Sequence, residues 1–161
     1  METGRTWRVG VIGDPVAHSK SPAIHSFWLE KLGIEADYRA TRVAAEELPA
    51  FLAERRAAPD WCGCNVTMPL KRAVIAHLGW LDPLAREVGA VNTVVRQATG
   101  SLSGFNTDVD GFLEPLRPLL ARAHLFRMAR VLGTGGAARA IVAALARHRI
   151  VVVLAGRDPA K

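Results

Sequence analysis

One stretch constrains this chain more than any other: residues 127–158, RMARVLGTGGAARAIVAALARHRIVVVLAGRD. An apolar run, a glycine-rich turn, an alanine-rich helical stretch and a second apolar run follow one another over about 30 residues, the length a strand–helix–strand crossover needs. Gly133, Gly135 and Ala138 fit G-x-G-x-x-G/A between the strand and the helix. The first glycine permits the tight turn, the second lets a pyrophosphate approach the backbone, and the small third residue lets helix and strand pack closely. The helix start then offers free N–H groups and a partial positive charge to an anion. About 20 residues further on, an NAD enzyme carries an acid that binds the ribose hydroxyls. Gly156 and Arg157 stand there instead. An arginine pairs with a ribose 2′-phosphate, so NADP is the expected cofactor, although Asp158 sets a carboxylate beside the same phosphate.

Upstream the same alternation repeats. WRVGVIG (7–13) reads as a strand and SKSPAIHSFWLEKLG as an amphipathic helix, with Ser21 as N-cap, Pro22 at the first helical position and Gly33 as the stop. Ile24, Phe27, Trp28 and Leu32 recur at helical spacing. Residues 37–43 form the next strand, AEELPAFLAERRA the next helix and 61–67 a third strand, after which Pro69 opens a helix through Leu78. Asp82 caps a short helix at Pro83, and AVNTVVRQ and SLSGFN form a hairpin about a turn at 99–101. From Thr107 the pattern is helical through about Ala123.

Strands alternating with helices predict an α/β chain of open, mostly parallel sheets, with ligands at the carboxyl ends of the strands. The expected units are residues 1–107, a linking helical segment 108–128, and the start of a Rossmann-type unit at 129–161. Two parallel strands with one crossover do not bury both faces of a sheet. The chain is therefore expected to be the front part of a longer protein.

Composition narrows the partners. Half of the 161 residues are hydrophobic and the formal charge of +6 suits anionic ligands. No basic stripe interleaved with aromatics is present, so nucleic acid is not expected. The longest apolar run, 141–155, is broken by Arg147, His148 and Arg149, and no basic, apolar leader opens the chain, so neither a membrane span nor a signal peptide is expected. Cys62 and Cys64 lack metal-knuckle spacing and read as small side chains in a reducing cytoplasm; no metal is expected.

The loops at 13–21, 65–71 and 133–138 are where ligands are expected. Ser19 and Ser21 offer hydroxyls to a carboxylate or polyol, although Ser21 before Pro22 is better explained as a cap. Asn65, Thr67 and Lys71 end the third strand and open its helix, and Asn92 and Asp108 are read as following later strands. Lys71 is either a solvated cation on a first helical turn or a proton donor over a substrate. Asp108 is either a helix cap or that donor's partner.

GDPVAHSKSP, NVTMPLK, GAVNT, GFNTD and GTGGAARA, in this order and spacing, resemble the shikimate dehydrogenase family from Val9 to Lys161. The resemblance implies NADP-dependent reduction of 3-dehydroshikimate to shikimate, on the way to chorismate and aromatic amino acids. It implies that Lys71 and Asp108 are the catalytic pair and that Ser19 and Ser21 hold the substrate carboxylate. Thr67, Lys71, Asn92 and Asp108 would surround the ring hydroxyls, with Asn65 supporting them as part of the substrate site. Gly133, Thr134, Gly135, Gly136 and Ala137 would cradle the pyrophosphate, with Arg157 and Lys161 towards the adenosine phosphate. The family's Asn-Arg-Thr appears as Gly156, Arg157 and Asp158, and a later glutamine of its substrate site is absent. Quinate or shikimate dehydrogenases with relaxed NAD/NADP use, and a non-catalytic shikimate-binding fragment, are the alternatives; a homodimer is allowed.

Overall fold

Strand β1 (Trp7–Gly13) occupies the inside of a sheet because both of its faces are covered. Val11 packs with Val16 and Tyr38 in one cluster, while its neighbour Ile12 joins Val43, Leu48, Leu52, Val66 and Leu70 in another. Adjacent strand residues point to opposite faces, so two buried neighbours mean two buried faces. The computed structural model describes residues 6–121 and 128–157.

Around β1 stand β2 (Ala36–Arg42), β3 (Gly63–Val66), β4 (Trp80–Leu81), β5 (Thr93–Arg96) and β6 (Leu102–Phe105). They form one six-stranded sheet in the order β2-β1-β3-β5-β6-β4. Three of its five pairings are parallel, and β5 is antiparallel to both of its neighbours. The expected mostly parallel α/β architecture is what the chain adopts. Helices α1 (Ser21–Lys31), α2 (Leu48–Ala57), α3 (Leu70–Ala73) and α4 (Pro83–Val88) connect its strands. Asp82 caps α4 as expected, its carboxylate accepting from the N–H groups of Leu84 and Ala85.

After β6 come α5 (Asp108–Leu113) and α6 (Arg117–Leu120), then a second, two-stranded parallel sheet of β7 (Met128–Leu132) and β8 (Val151–Ala155) joined by α7 (Gly136–Arg147). Alanines make the junction with the first part. Ala140 and Ala144 of α7 are fully buried against Val88, Ala90, Val109 and Leu113, and side chains this small let α7 lie close on α4 and α5.

Several local expectations need correction. Ser21 is the first residue of α1, not its cap; Lys20 holds the cap position, and Ser19 Oγ accepts the Ser21 N–H at 3.2 Å. The apolar row of α1 is not buried: Ile24, Phe27, Trp28 and Leu32 are all exposed. The segment from Thr107 is not one helix, because Pro115 and Pro118 each remove a backbone donor and set a 3-10 turn (Glu114–Leu116) between α5 and α6. The helix expected from Pro69 to Leu78 is one α turn followed by a 3-10 turn (Val74–His77). Strand β4 is two residues long, too short to carry a periodicity in the sequence. Asn92 precedes β5 rather than following a strand.

Among the described residues, no helix is long and apolar enough to cross a membrane, and no cluster of His, Cys, Asp and Glu is arranged to hold a metal ion.

Candidate active site

The sheet's topology gathers one set of side chains at one edge. Strands β1 and β3 are parallel, so the loops after them emerge together. Because β5 is antiparallel to β3, its beginning lies where β3 ends, and because β6 reverses again its end returns to that same edge. Ser19 and Ser21 follow β1, Asn65 and Thr67 close β3, Asn92 precedes β5 and Asp108 follows β6. Carboxyl ends of parallel strands are where α/β sheets bind ligands, and the antiparallel strand adds its amino end to them.

At this edge the Lys71 Nζ donates to Asp108 Oδ2 at 2.6 Å. Their side chains are 16% and 27% exposed, so the pair is shielded on most sides yet reachable. Asp108 does not cap a helix with its carboxylate. Its other oxygen, Oδ1, accepts from Asn92 Nδ2 at 2.8 Å, and its backbone N–H donates to Asn106 Oδ1 at 3.0 Å. Asn106 is buried and its amide also donates to the Ala90 carbonyl, which fixes the turn from which α5 starts.

Behind Asp108 runs a chain of donors with one direction. Tyr38 donates to Asn65 Oδ1 at 2.6 Å, Asn65 Nδ2 to Thr93 Oγ1 at 3.3 Å, Thr93 to Asn92 Oδ1 at 3.0 Å, and Asn92 to the carboxylate. Bonds arranged this way polarise one another towards the final acceptor. Burial pushes the Tyr38 hydroxyl up to about 12, and a hydrogen bond with Ser21 pulls partly the other way. The tyrosine is therefore a neutral donor to Asn65.

Of the residues singled out in the sequence, Lys71, Asn92 and Asp108 are in direct contact and Asn65 joins them through Thr93. Ser19 holds the backbone of Ser21, and Thr67 sets its methyl against Gly13. Tyr38, Thr93 and Asn106 were not singled out. Asn106 lies inside GFNTD, and Tyr38 is the one phenol in the chain, on a strand beside β1; those were the available signals.

The glycine turn leaves room for a dinucleotide. Gly133 has φ +115°, where a side chain is strained, and beyond the chain neighbours no atom of the described residues lies within 4 Å of where a Cβ would stand on Gly133 or Gly135. Gly135 caps α7 in an extended conformation with no side-chain hydrogen bond. The 12-residue helix therefore begins with first-turn N–H groups that no side chain of the cap residue satisfies. Ala138, the small third residue, is buried with Val131 and Leu145 between helix and strand. The turn fits a pyrophosphate. Arg157 is exposed after β8, while Asp158 and Lys161 lie outside the described residues.

These features define an α/β chain in which a mixed sheet carrying a Lys–Asp pair abuts a dinucleotide-type βαβ unit. Residues 11–94 match the shikimate dehydrogenase substrate binding domain, and the chain belongs to the shikimate dehydrogenase family. It is 52% identical over 153 residues to a shikimate dehydrogenase (NADP(+)) of Sphingopyxis alaskensis, covering 94% of this chain and 54% of that protein. Among solved structures it is similar to Thermus thermophilus shikimate 5-dehydrogenase in complex with NADP(H) and shikimate, at TM-score 0.83 and 47% identity over 96% of this chain and 57% of that one. The Aquifex aeolicus shikimate dehydrogenase gives TM-score 0.87 at 37% identity, covering 98% of this chain and 58% of that chain. The chain thus spans somewhat more than half the length of these relatives.

Proposed function

We propose that this chain supplies the substrate side and the opening of the cofactor side of an NADP-dependent shikimate dehydrogenase. The observation that carries this is the Lys71–Asp108 contact of 2.6 Å, anchored from behind by Asn92. NADPH, when bound, supplies the hydride to the carbonyl carbon of 3-dehydroshikimate. Lys71 delivers a proton from Nζ to the carbonyl oxygen as that oxygen gains charge, and Asp108 keeps the ammonium aimed and shares the proton. In the reverse direction Lys71 takes the proton from the shikimate hydroxyl. Ser19 and Ser21 hold the ring carboxylate; Asn65, Thr67 and Asn92 face the hydroxyls. Gly133, Thr134, Gly135, Gly136 and Ala137 receive the pyrophosphate, and Arg157 with Lys161 the adenosine phosphate.

The unit boundaries we propose are 1–107, 108–128 and 129–161, with cytoplasmic residence, as suits two free cysteines. A homodimer is the proposed assembly, on the ground that α1 leaves Ile24, Phe27, Trp28 and Leu32 exposed. Sedimentation equilibrium showing a monomer at every concentration removes that last point.

The test of the reaction is Lys71→Ala. General acid catalysis commonly contributes about 10² to 10⁴, so turnover with NADP and shikimate falls by about a hundredfold or more. Titration calorimetry still detects shikimate binding. A loss confined to KM would make Lys71 a binding cation only.

A further inference from the structure

Gly136 is a glycine that the dinucleotide fingerprint does not ask for. The pattern uses positions 133, 135 and 138, and residue 136 is one of its free positions. Nor does the backbone require it, since Gly136 is absent from the positive-φ glycines. It is the first residue of α7, so neither the fingerprint nor the backbone angle accounts for a glycine there.

What the position meets is Lys71. A Cβ on Gly136 would lie 2.9 Å from Lys71 Cβ, 3.1 Å from Cδ and 3.5 Å from Cγ. Gly133 and Gly135, in the same turn, have nothing among the described residues beyond their chain neighbours within 4 Å. Two glycines thus face open space and the third lies on the lysine's stem. The lysine cannot simply retreat. Its carbonyl accepts the Val91 N–H at 2.8 Å, and its neighbour Leu70 is wholly buried. Helix α7 cannot lift without separating Ala140 and Ala144 from Val109 and Leu113.

We infer that Gly136 is a positioning residue for Lys71: by lacking a side chain it lets the start of α7 rest on the lysine's methylenes and hold the ammonium on Asp108. The nucleotide turn and the proton donor are then parts of one contact. The catalytic consequence rests on the function proposed above; the contact itself does not.

The experiment compares Gly136→Ala with Gly135→Ala in this chain without ligands, reading the Lys71 side-chain methylene signals by NMR, assigned by their loss in Lys71→Arg. Gly136→Ala shifts those signals, and Gly135→Ala leaves them in place. In the enzyme, Gly136→Ala lowers kcat by about ten- to a hundredfold, since about 1 Å of misplacement can cost a hundredfold. Gly135→Ala acts chiefly on KM for NADP. Should Gly136→Ala fold poorly, Lys71→Gly removes the obstructing stem, and the loss in urea midpoint caused by Gly136→Ala shrinks in that background. Unmoved Lys71 signals in Gly136→Ala, or an equal midpoint loss in both backgrounds, overturns the inference. An enzyme inactive on shikimate would overturn the proposed reaction and leave the NMR and midpoint comparisons standing.

Discussion

Asn92→Asp changes one atom of the network and reverses its logic. Asn92 Nδ2 donates to Thr107 Oγ1 and to Asp108 Oδ1, both at 2.8 Å, while its Oδ1 accepts from the Thr107 N–H and from Thr93. The aspartate keeps the acceptor and loses both donors. A neutral hydrogen bond contributes about 1 kcal/mol and one to a charged group about 1.5–3, so the two together account for roughly 2.5–4 kcal/mol. Two like charges at 2.8 Å repel by about 6 kcal/mol at an effective dielectric constant of 20, and the Lys71–Asp108 attraction at 2.6 Å does not cancel this, because it is present in wild type as well. The repulsion adds to the lost donors, and Asn92→Asp destabilises by at least about 3–5 kcal/mol, a large share of the roughly 5–15 typical of a domain. The assay is urea unfolding of wild type, Asn92→Asp, Asp108→Asn and the exchanged pair. In the exchanged pair the new amide at 108 can donate to the new carboxylate at 92, so more than half of the single-variant loss returns. A loss below about 1 kcal/mol for Asn92→Asp, or strict additivity in the exchanged pair, would refute the direct contact.

On the proposed reaction, Arg157→Ala is expected to narrow the preference for NADP over NAD in kcat/KM, mainly by weakening NADP, because the proposed charge-assisted bidentate contact would be lost; equal use of both cofactors by wild type would favour an NAD-tolerant quinate or shikimate enzyme. Burial pushes Tyr38 from 10.0 up to about 12 and Cys64 from 9.0 up to about 12, so the folded chain holds both protons longer than the unfolded one. Their contribution to stability is complete below about pH 9 and is lost as pH climbs to about 12. Urea midpoints measured across that window fall less steeply in Tyr38→Phe/Cys64→Ala than in wild type, and equal slopes would show that these groups are not what the alkali titrates.

Much of this molecule was legible from local pattern. The βαβ unit, the β5–β6 hairpin and the capped α4 each carry their signal within a few residues. What failed depended on the surroundings. The apolar row of α1 has helical spacing, but spacing does not say whether anything covers the face, and here nothing in the described chain does. Local pattern left Asp108 open between a cap and a partner for Lys71, because an acid at a helix start suits either; the fold decides it by bringing Lys71, 37 positions earlier, within reach. Tyr38 and Asn106 escaped notice because one sits in a strand and the other in a buried turn, and their roles exist only through partners distant in sequence.

The reversal at β5 explains why the site holds together. In a sheet of parallel strands alone, every side chain at the ligand edge comes from a loop after a strand, and each loop is free to move separately. Here the antiparallel β5 begins at that edge, and its first residues run straight into the ladder: Thr93 pairs with Asn65 on one side and with Phe105 on the other. Asn92, one residue earlier, is held from both directions, its carbonyl accepting the Val66 N–H and its N–H donating to the Phe105 carbonyl. The residue that orients Asp108 is thus bonded by its backbone to sheet rather than to loop. Sites carried on strands hold their geometry better than sites carried on loops. Lys71 is steadied by the same segment, since the residue before Asn92 donates its N–H to the lysine's carbonyl. One short stretch, Ala90 to Thr93, therefore sets the distance between donor and carboxylate, and α7 presses on that pair from the other side through Gly136.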